Sequence, residues 1–351
     1  MKTGLSLNEM ATELERQKTA KRDFLADSRT LKFVAGSDGA VLVEGLPIGQ
    51  AGIRKTAHSQ FAEATGIPKK YYRRMAEDAP DLLARNLNHW LESQPKNKLV
   101  RTMDGEVRAF LSDKYRPLDN YDFASAILPK LSNLGATVQS VQITEDRFYL
   151  KAVSDRIAGE VKQGDVIQAG IVASNSEVGA GSLKLEELDY RLVCTNGMIR
   201  AIAKRMTHLG RSSAGGDLIE NSREFFRDET RQLEDRTLWN KVHDTADAMF
   251  DQERLDLRLA DYRDAAERTV SNPVKAIEEI SDKFSLSQDE QSNVLRHLVE
   301  GGDLSQWGIA NAVTRASQDL EDYGRATDFE AVGGDIIELA PADWKIVSEA
   351  S

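Results

Sequence analysis

The feature that most narrows the fold is a change of hydrophobic period at GRSSAGGD, residues 210–217. Before this break, short β-prone runs are punctuated by turn residues. After it, Leu218, Phe225, Phe226, Leu233, Trp239, Val242, Ala246, Met249 and Phe250 recur at roughly helical spacing. A β-rich part followed by a helical part predicts an α+β fold. It consists of an antiparallel β core with flanking helices, a helix–three-strand–helix unit, and a mainly helical C-terminal domain.

Local signals place the elements. Asp38-Gly39 and Asp104-Gly105 each stand between apolar runs, in LKFVAGSDGAVLVEG and LVRTMDGEVRAFLS. Both predict hairpins, because the tight turn needs positive φ at adjacent positions. Residues 6–27 read as a helix of mixed charge, and 57–90 as helical with interruptions at Gly66-Ile67-Pro68 and Pro80. A helix near Tyr121–Leu134 precedes β-segments through 138–153, 165–174 and 183–194, expected in one sheet. A helix over 198–209 is expected to pack on that sheet. Ser287 and Glu290 form a capping-box pattern, and Gly301-Gly302 a helix stop. The expected division is an N-terminal α+β region with two hairpins and a small helical subdomain (1–118), a sheet core with a basic helix (119–214) and an acidic helical domain (215–351).

Charge follows the same division. Residues 1–216 hold 31 Lys and Arg against 26 Asp and Glu, whereas 217–351 hold 15 against 31. The net charge of -11 therefore hides a mildly basic half and a strongly acidic one. The single cysteine, Cys194, excludes an intramolecular disulfide and reads as an inert core thiol at the end of an apolar strand. No apolar run reaches membrane-spanning length, and the first residues lack the apolar centre of a signal peptide, so a cytoplasmic protein is expected. The P-loop, the Gly-x-Gly-x-x-Gly fingerprint and the common zinc spacings are all missing. No cofactor or metal is expected on these grounds, and a non-enzymatic role is favoured.

Three constellations could carry function. In QFAEATGIPKKYYRRM, Lys69, Lys70, Arg73 and Arg74 could meet phosphates while Tyr71 and Tyr72 stack on bases. The competing reading is a solvated basic face with the tyrosines packed inward. In SNSEVGAGSLKLEELDYRLVCTNGM, Gly179 and Gly181 allow a tight turn or close approach to a ligand. Arg191, on a strand among apolar neighbours, needs an anion: a phosphate, or a carboxylate such as Glu186 or Asp189. In RAIAKRMTHLGR, Arg200, Lys204, Arg205 and Arg211 occur without an acid, as a phosphate-binding helix or as a face docking on the acidic half. Trp239 and Trp307 read as core.

The strings SNSEVGAGSLKL and YRLVCTNGM resemble the phage- and plasmid-like proteins of domain-of-unknown-function family 932. VRTMDGEVRAFLSDKYRPLDN and WGIANAVTRASQDLEDYGRATDFEAVGGDII support the resemblance. It implies a mobile-element setting and no established activity. The element order over 120–210 is also similar to the core of phage single-strand annealing proteins, an analogy of fold order and charge alone. The leading expectation is a nucleic-acid-binding protein, a single-strand DNA binder or annealer in recombination or replication, able to form homo-oligomers and not associated with membranes. The alternatives are an interaction scaffold whose basic clusters pair with the acidic half, and a metal-dependent phosphate-handling enzyme using Glu145, Asp146 and Asp155.

Overall fold

A computed structural model describes residues 1–37, 39–200 and 228–350. Ser6 opens α1 (Leu7–Ala20) with a reciprocal capping box to Glu9. The expected continuation of this helix to residue 27 is not observed. Residues 21–27 form β1 (Lys21–Asp27), which pairs antiparallel with a strand beginning at Asn97, so tertiary pairing overrides local helix preference. Next come β2 (Lys32–Ala35), β3 (Val41–Leu46) and β4 (Gly49–Ile53). β2 and β3 pair as the first expected hairpin; Gly39 there has φ +83°, and Asp38 lies outside the described residues. The helical stretch resolves into α2 (Lys55–Thr65), α3 (Lys69–Asp78) and α4 (Pro80–Ser93). Gly66 ends α2 in the left-handed region, and Pro80 occupies the first turn of α4, where a missing N–H costs nothing. β5 (Asn97–Met103) and β6 (Glu106–Ser112) form the second hairpin, with φ of +55° at Asp104 and +80° at Gly105. The first sheet has the order β1-β5-β6-β4-β3-β2, parallel only between β4 and β6. Phe33, Phe61, Leu83, Leu87 and Phe110 fill the core between it and the helices.

α5 (Asn120–Asn133) leads into the second sheet. The segment expected through 138–153 is a hairpin of β7 (Ala136–Ile143) and β8 (Phe148–Glu160), followed by β9 (Val166–Asn175), β10 (Lys184–Arg191) and β11 (Asn196–Arg200). The order β11-β10-β9-β8-β7 is an antiparallel meander, so all three expected β-segments share one sheet. The helix expected over 198–209 is corrected at its start. Thr195, at φ +51°, turns the chain back, and Met198–Arg200 pair with β10, Leu188 opposite Ile199. Residues 201–209 lie outside the described residues.

Beyond them run α6 (Asp228–Met249), α7 (Gln252–Glu267), α8 (Pro273–Phe284), α9 (Gln288–Gly301), α10 (Gln306–Ala316), α11 (Tyr323–Ile337) and α12 (Pro341–Glu349). Ser287 and Glu290 form the expected capping box of α9, and Gly302 caps its end at φ +66°. One apolar core joins Met10 and Leu14 of α1, one face of the second sheet and the C-terminal helices as far as Val347. Trp307 lies fully within it, and half-buried Trp239 packs against it. The opposite sheet face is covered in part by α11, through Ile199 and Ala331.

Candidate nucleic-acid interface

The sequence-selected cations separate into three groups. Arg191 and Arg200 are held inside the fold. Arg191 makes a bidentate pair with Asp165, at 2.5 and 2.8 Å, and the indole of Trp307 donates to the same carboxylate at 3.2 Å. Burial works against the Arg191 charge, but Asp165 outweighs it and holds the guanidinium above its ordinary pKa. The partner is thus neither Glu186 nor Asp189. Asp189 is taken by Arg258, at 2.9 and 3.0 Å, and by the Tyr262 hydroxyl. Arg200 donates to Glu338 at 2.9 Å and to Asp261 at 3.0 Å, both in the acidic half. Lys204, Arg205 and Arg211 lie outside the described residues.

The third group is α3. Its buried side chains are Tyr72 and Met75, and Lys69, Lys70, Tyr71, Arg73 and Arg74 are exposed. The tyrosines therefore divide. Tyr72 packs inward, its hydroxyl 2.9 Å from Nδ1 of His58 on α2, and burial raises its pKa. It is not available for stacking, a correction forced by the helical period: Tyr72 and Met75 are three apart and share the inner face. Tyr71 is 49% exposed. Of the four cations, Arg74 stands 3.7 Å from Asp78, one turn on. No ion pair is seen for Lys69, Lys70 or Arg73 among the described residues.

The distribution of charge on this helix runs against its own dipole. Lys69 and Lys70 occupy the first turn, without an acid there, while Glu77 and Asp78 lie at the C-terminal end. Cations at a helix N-terminus and anions at its C-terminus are each unfavourable by about 0.3–1 kcal/mol. The start of α3 is therefore a concentrated positive pole that an anion would relieve.

A second feature is a polar cleft of about 520 Å³ on the open part of the second sheet, beside α11. Tyr149, Ser174 and Lys184 line it from three strands in one cross-strand row, and Glu186 lies two residues along β10. Arg147 donates to the Ala180 carbonyl at 2.5 Å, and Arg325 is tied to Glu290 at 2.7 and 2.8 Å. Burial holds the Glu186 carboxyl above its usual pKa, against the charges of Lys184 and Arg147. The lining also includes Asp146, Asp322 and Asp328, so positive and negative groups balance and the cleft lacks the unbalanced positive charge found at the start of α3. Of the acids considered for a phosphate-handling enzyme, Asp146 reaches this cleft, whereas Asp155 accepts from Gln168 at 3.2 Å and Glu145 is exposed.

The distinctive 175–182 loop performs internal work. Asn175 bonds to the Leu118 carbonyl and the Asn120 side chain, and Gln60 of α2 donates to the Val178 carbonyl. Gly179 has φ +77°, and a Cβ on Gly181 would come within 2.7 Å of the Arg147 guanidinium. Both glycines thus serve a close internal turn. Glu177, fully buried, receives Lys21, Arg108 at 2.7 Å and the Asn120 backbone N–H at 2.6 Å. Cys194 is half-buried, with its sulfur 3.5 Å from Arg191 Nη1. Cys194→Ser is expected to change stability by no more than about 1 kcal/mol, measured by urea unfolding, with binding intact. Loss of function in a folded Cys194→Ser protein would implicate the thiol.

Sequence reasoning passed over Glu177 and the cleft, whose members come together only across strands. It also passed over Trp90, 40% exposed on α4. The stripe Leu82, Asn86, Trp90, at four-residue spacing, is a signal the sequence does carry.

Among known proteins, the family described as Domain of unknown function (DUF932) matches residues 109–321. No curated protein and no solved structure matches.

Proposed function

Because the chain belongs to the DUF932 family, whose description names no activity, we propose its function from its own geometry: it binds nucleic acid, with single strands favoured, through the exposed face of α3. The observation that carries this reading is the set Lys69, Lys70, Arg73 and Arg74, exposed on one helix whose dipole adds to the charge of Lys69 and Lys70 in its first turn. Contacts of this kind go to phosphates and are independent of sequence. They suit a single-strand binder or annealer, and the resemblance to phage- and plasmid-like proteins supports a mobile-element role in recombination or replication.

The test is fluorescence anisotropy with a labelled oligo-dT at two or more salt concentrations. Lys69→Ala, Lys70→Ala, Arg73→Ala and Arg74→Ala combined should weaken binding. The slope of log affinity against log salt should flatten by about 0.7 for each phosphate no longer neutralised. Thermal stability should hold or rise slightly, since alanine favours helix and the unfavourable dipole interactions disappear. Absence of wild-type binding at low salt would sink the proposal.

A second reading has its own observation. Several cations of the first half pair with acids of the second: Arg200 with Asp261 and Glu338, Lys130 with Asp247, Lys162 with Asp303, and Arg116 with Glu234. This favours the scaffold alternative for those residues. It does not account for α3, where the ion pair seen among the described residues, Arg74 with Asp78, is local.

A further inference from the structure

We propose that Trp90 and Tyr71 form a base-stacking pair that selects single-stranded over duplex nucleic acid; this rests on the binding reading for α3 and deepens it. α3 and α4 meet at a one-residue corner, Ala79. Across the corner, the Asn86 amide of α4 lies 3.7 Å from the Met75 sulfur of α3, which marks where the two helices touch. One turn farther from the corner on α3 stands Tyr71, and one turn farther on α4 stands Trp90. Each ring therefore stands one turn beyond the point where the two helices touch. Both are large aromatic surfaces left to solvent, at 49% and 40% exposure.

Charge says what covers them. The acids Glu77, Asp78 and Asp81 lie at the corner, Glu92 near Trp90 stands 3.6 Å from Lys32, and Lys69, Lys70, Arg73 and Arg74 flank Tyr71 along α3. An apolar protein partner would have to desolvate those cations. A single strand satisfies both sets, with phosphates on the cations and unpaired bases on the rings. His89 stands beside Trp90, ring centroids 5.0 Å apart, and extends the aromatic surface. A duplex keeps its bases stacked on each other and offers only phosphates, so the rings would add nothing to its binding.

Base–aromatic stacking contributes about 1–3 kcal/mol per base, so Trp90→Ala should weaken oligo-dT binding by roughly 5- to 150-fold. Tyr71→Ala should act in the same direction, and Trp90→Phe should retain part of the affinity. Unlike charge removal on α3, neither alanine variant should alter the salt slope or the residual binding of duplex. Circular dichroism melts would verify that the variants are folded. Wild-type binding with unchanged affinity in Trp90→Ala would overturn the stacking pair alone. Equal losses for oligo-dT and duplex would also overturn it. Failure of the wild type to bind any nucleic acid would remove the underlying reading as well.

Discussion

Glu177→Gln is expected to lower the free energy of unfolding by about 3–5 kcal/mol, the usual cost of breaking a buried ion pair from one side. Glu177 is the anion where the two sheets meet. Lys21 of β1 and Arg108 of β6 converge on its carboxylate, and its own carbonyl accepts from Arg101 Nη1 at 2.8 Å. Arg101 is in turn paired with Asp23 at 2.9 Å and Asp119 at 2.7 Å. The neutral amide keeps the shape but leaves buried Arg108 without its paired carboxylate and Lys21 with only the more distant Asp119, 3.9 Å away. Burial already pushes the Arg108 guanidinium below its ordinary pKa, with Glu177 opposing that shift. Urea unfolding followed by circular dichroism measures the loss. A cost below about 1 kcal/mol would show that the junction does not depend on this charge.

The same network sets part of the acid response. Burial alone would raise the Asp119 pKa, but Arg101 and Lys21 outweigh it and hold the carboxyl below its usual value. In the helical half, bonds from Arg325 hold Glu290 at about 2. A depressed folded-state pKa contributes stability that is complete above the unfolded value and disappears as pH falls through the folded one. Stability should therefore begin to fall below about pH 4.5, and continue falling toward pH 2. A protein equally stable at pH 6 and pH 2.5 would contradict this assignment.

The second large effect concerns Lys151 and Glu330, both fully buried and 2.6 Å apart. Lys151 also lies 4.7 Å from the centroid of the Tyr323 ring, and Tyr323 shares a 2.7 Å hydrogen bond with Ser140. One Glu330 carboxylate oxygen has no hydrogen-bond partner among the described residues. Lys151→Met should cost about 3–5 kcal/mol, because it strands the Glu330 charge in the core. Lys151→Met with Glu330→Leu should recover most of that loss and could match the native protein, since apolar pairs of similar volume are often no less stable than buried ion pairs. A double variant as unstable as Lys151→Met alone would mean that packing around Tyr323, rather than charge, sets the cost.

Much of the local structure is legible in the sequence because its causes are local. Asp104-Gly105 announces a turn, Ser287 and Glu290 announce a helix start, and the loss of β pattern after 217 announces helices. The α+β class follows from the order of those signals. Residues 21–27 read as helix in isolation, yet form a strand because that state depends on pairing with residues 97–103, far along the chain. Met198–Arg200 depart from the helix expected there for the same reason, since β10 recruits them as an edge strand.

The cations show the same boundary more sharply. By itself, the sequence determined which residues could bind an anion: lysines and arginines grouped at 69–74, at Arg191, and at 200–211. It also carried the three-residue spacing that turns Tyr72 inward. Only the tertiary structure decided which of those charges are already used. Arg191 meets Asp165, 26 residues away, and Arg200 meets Glu338, 138 residues away. Helical period and turn chemistry act over a few bonds and are written in adjacent residues. The partner of a charge depends on which strands and helices pack together, and no short stretch of sequence contains that information.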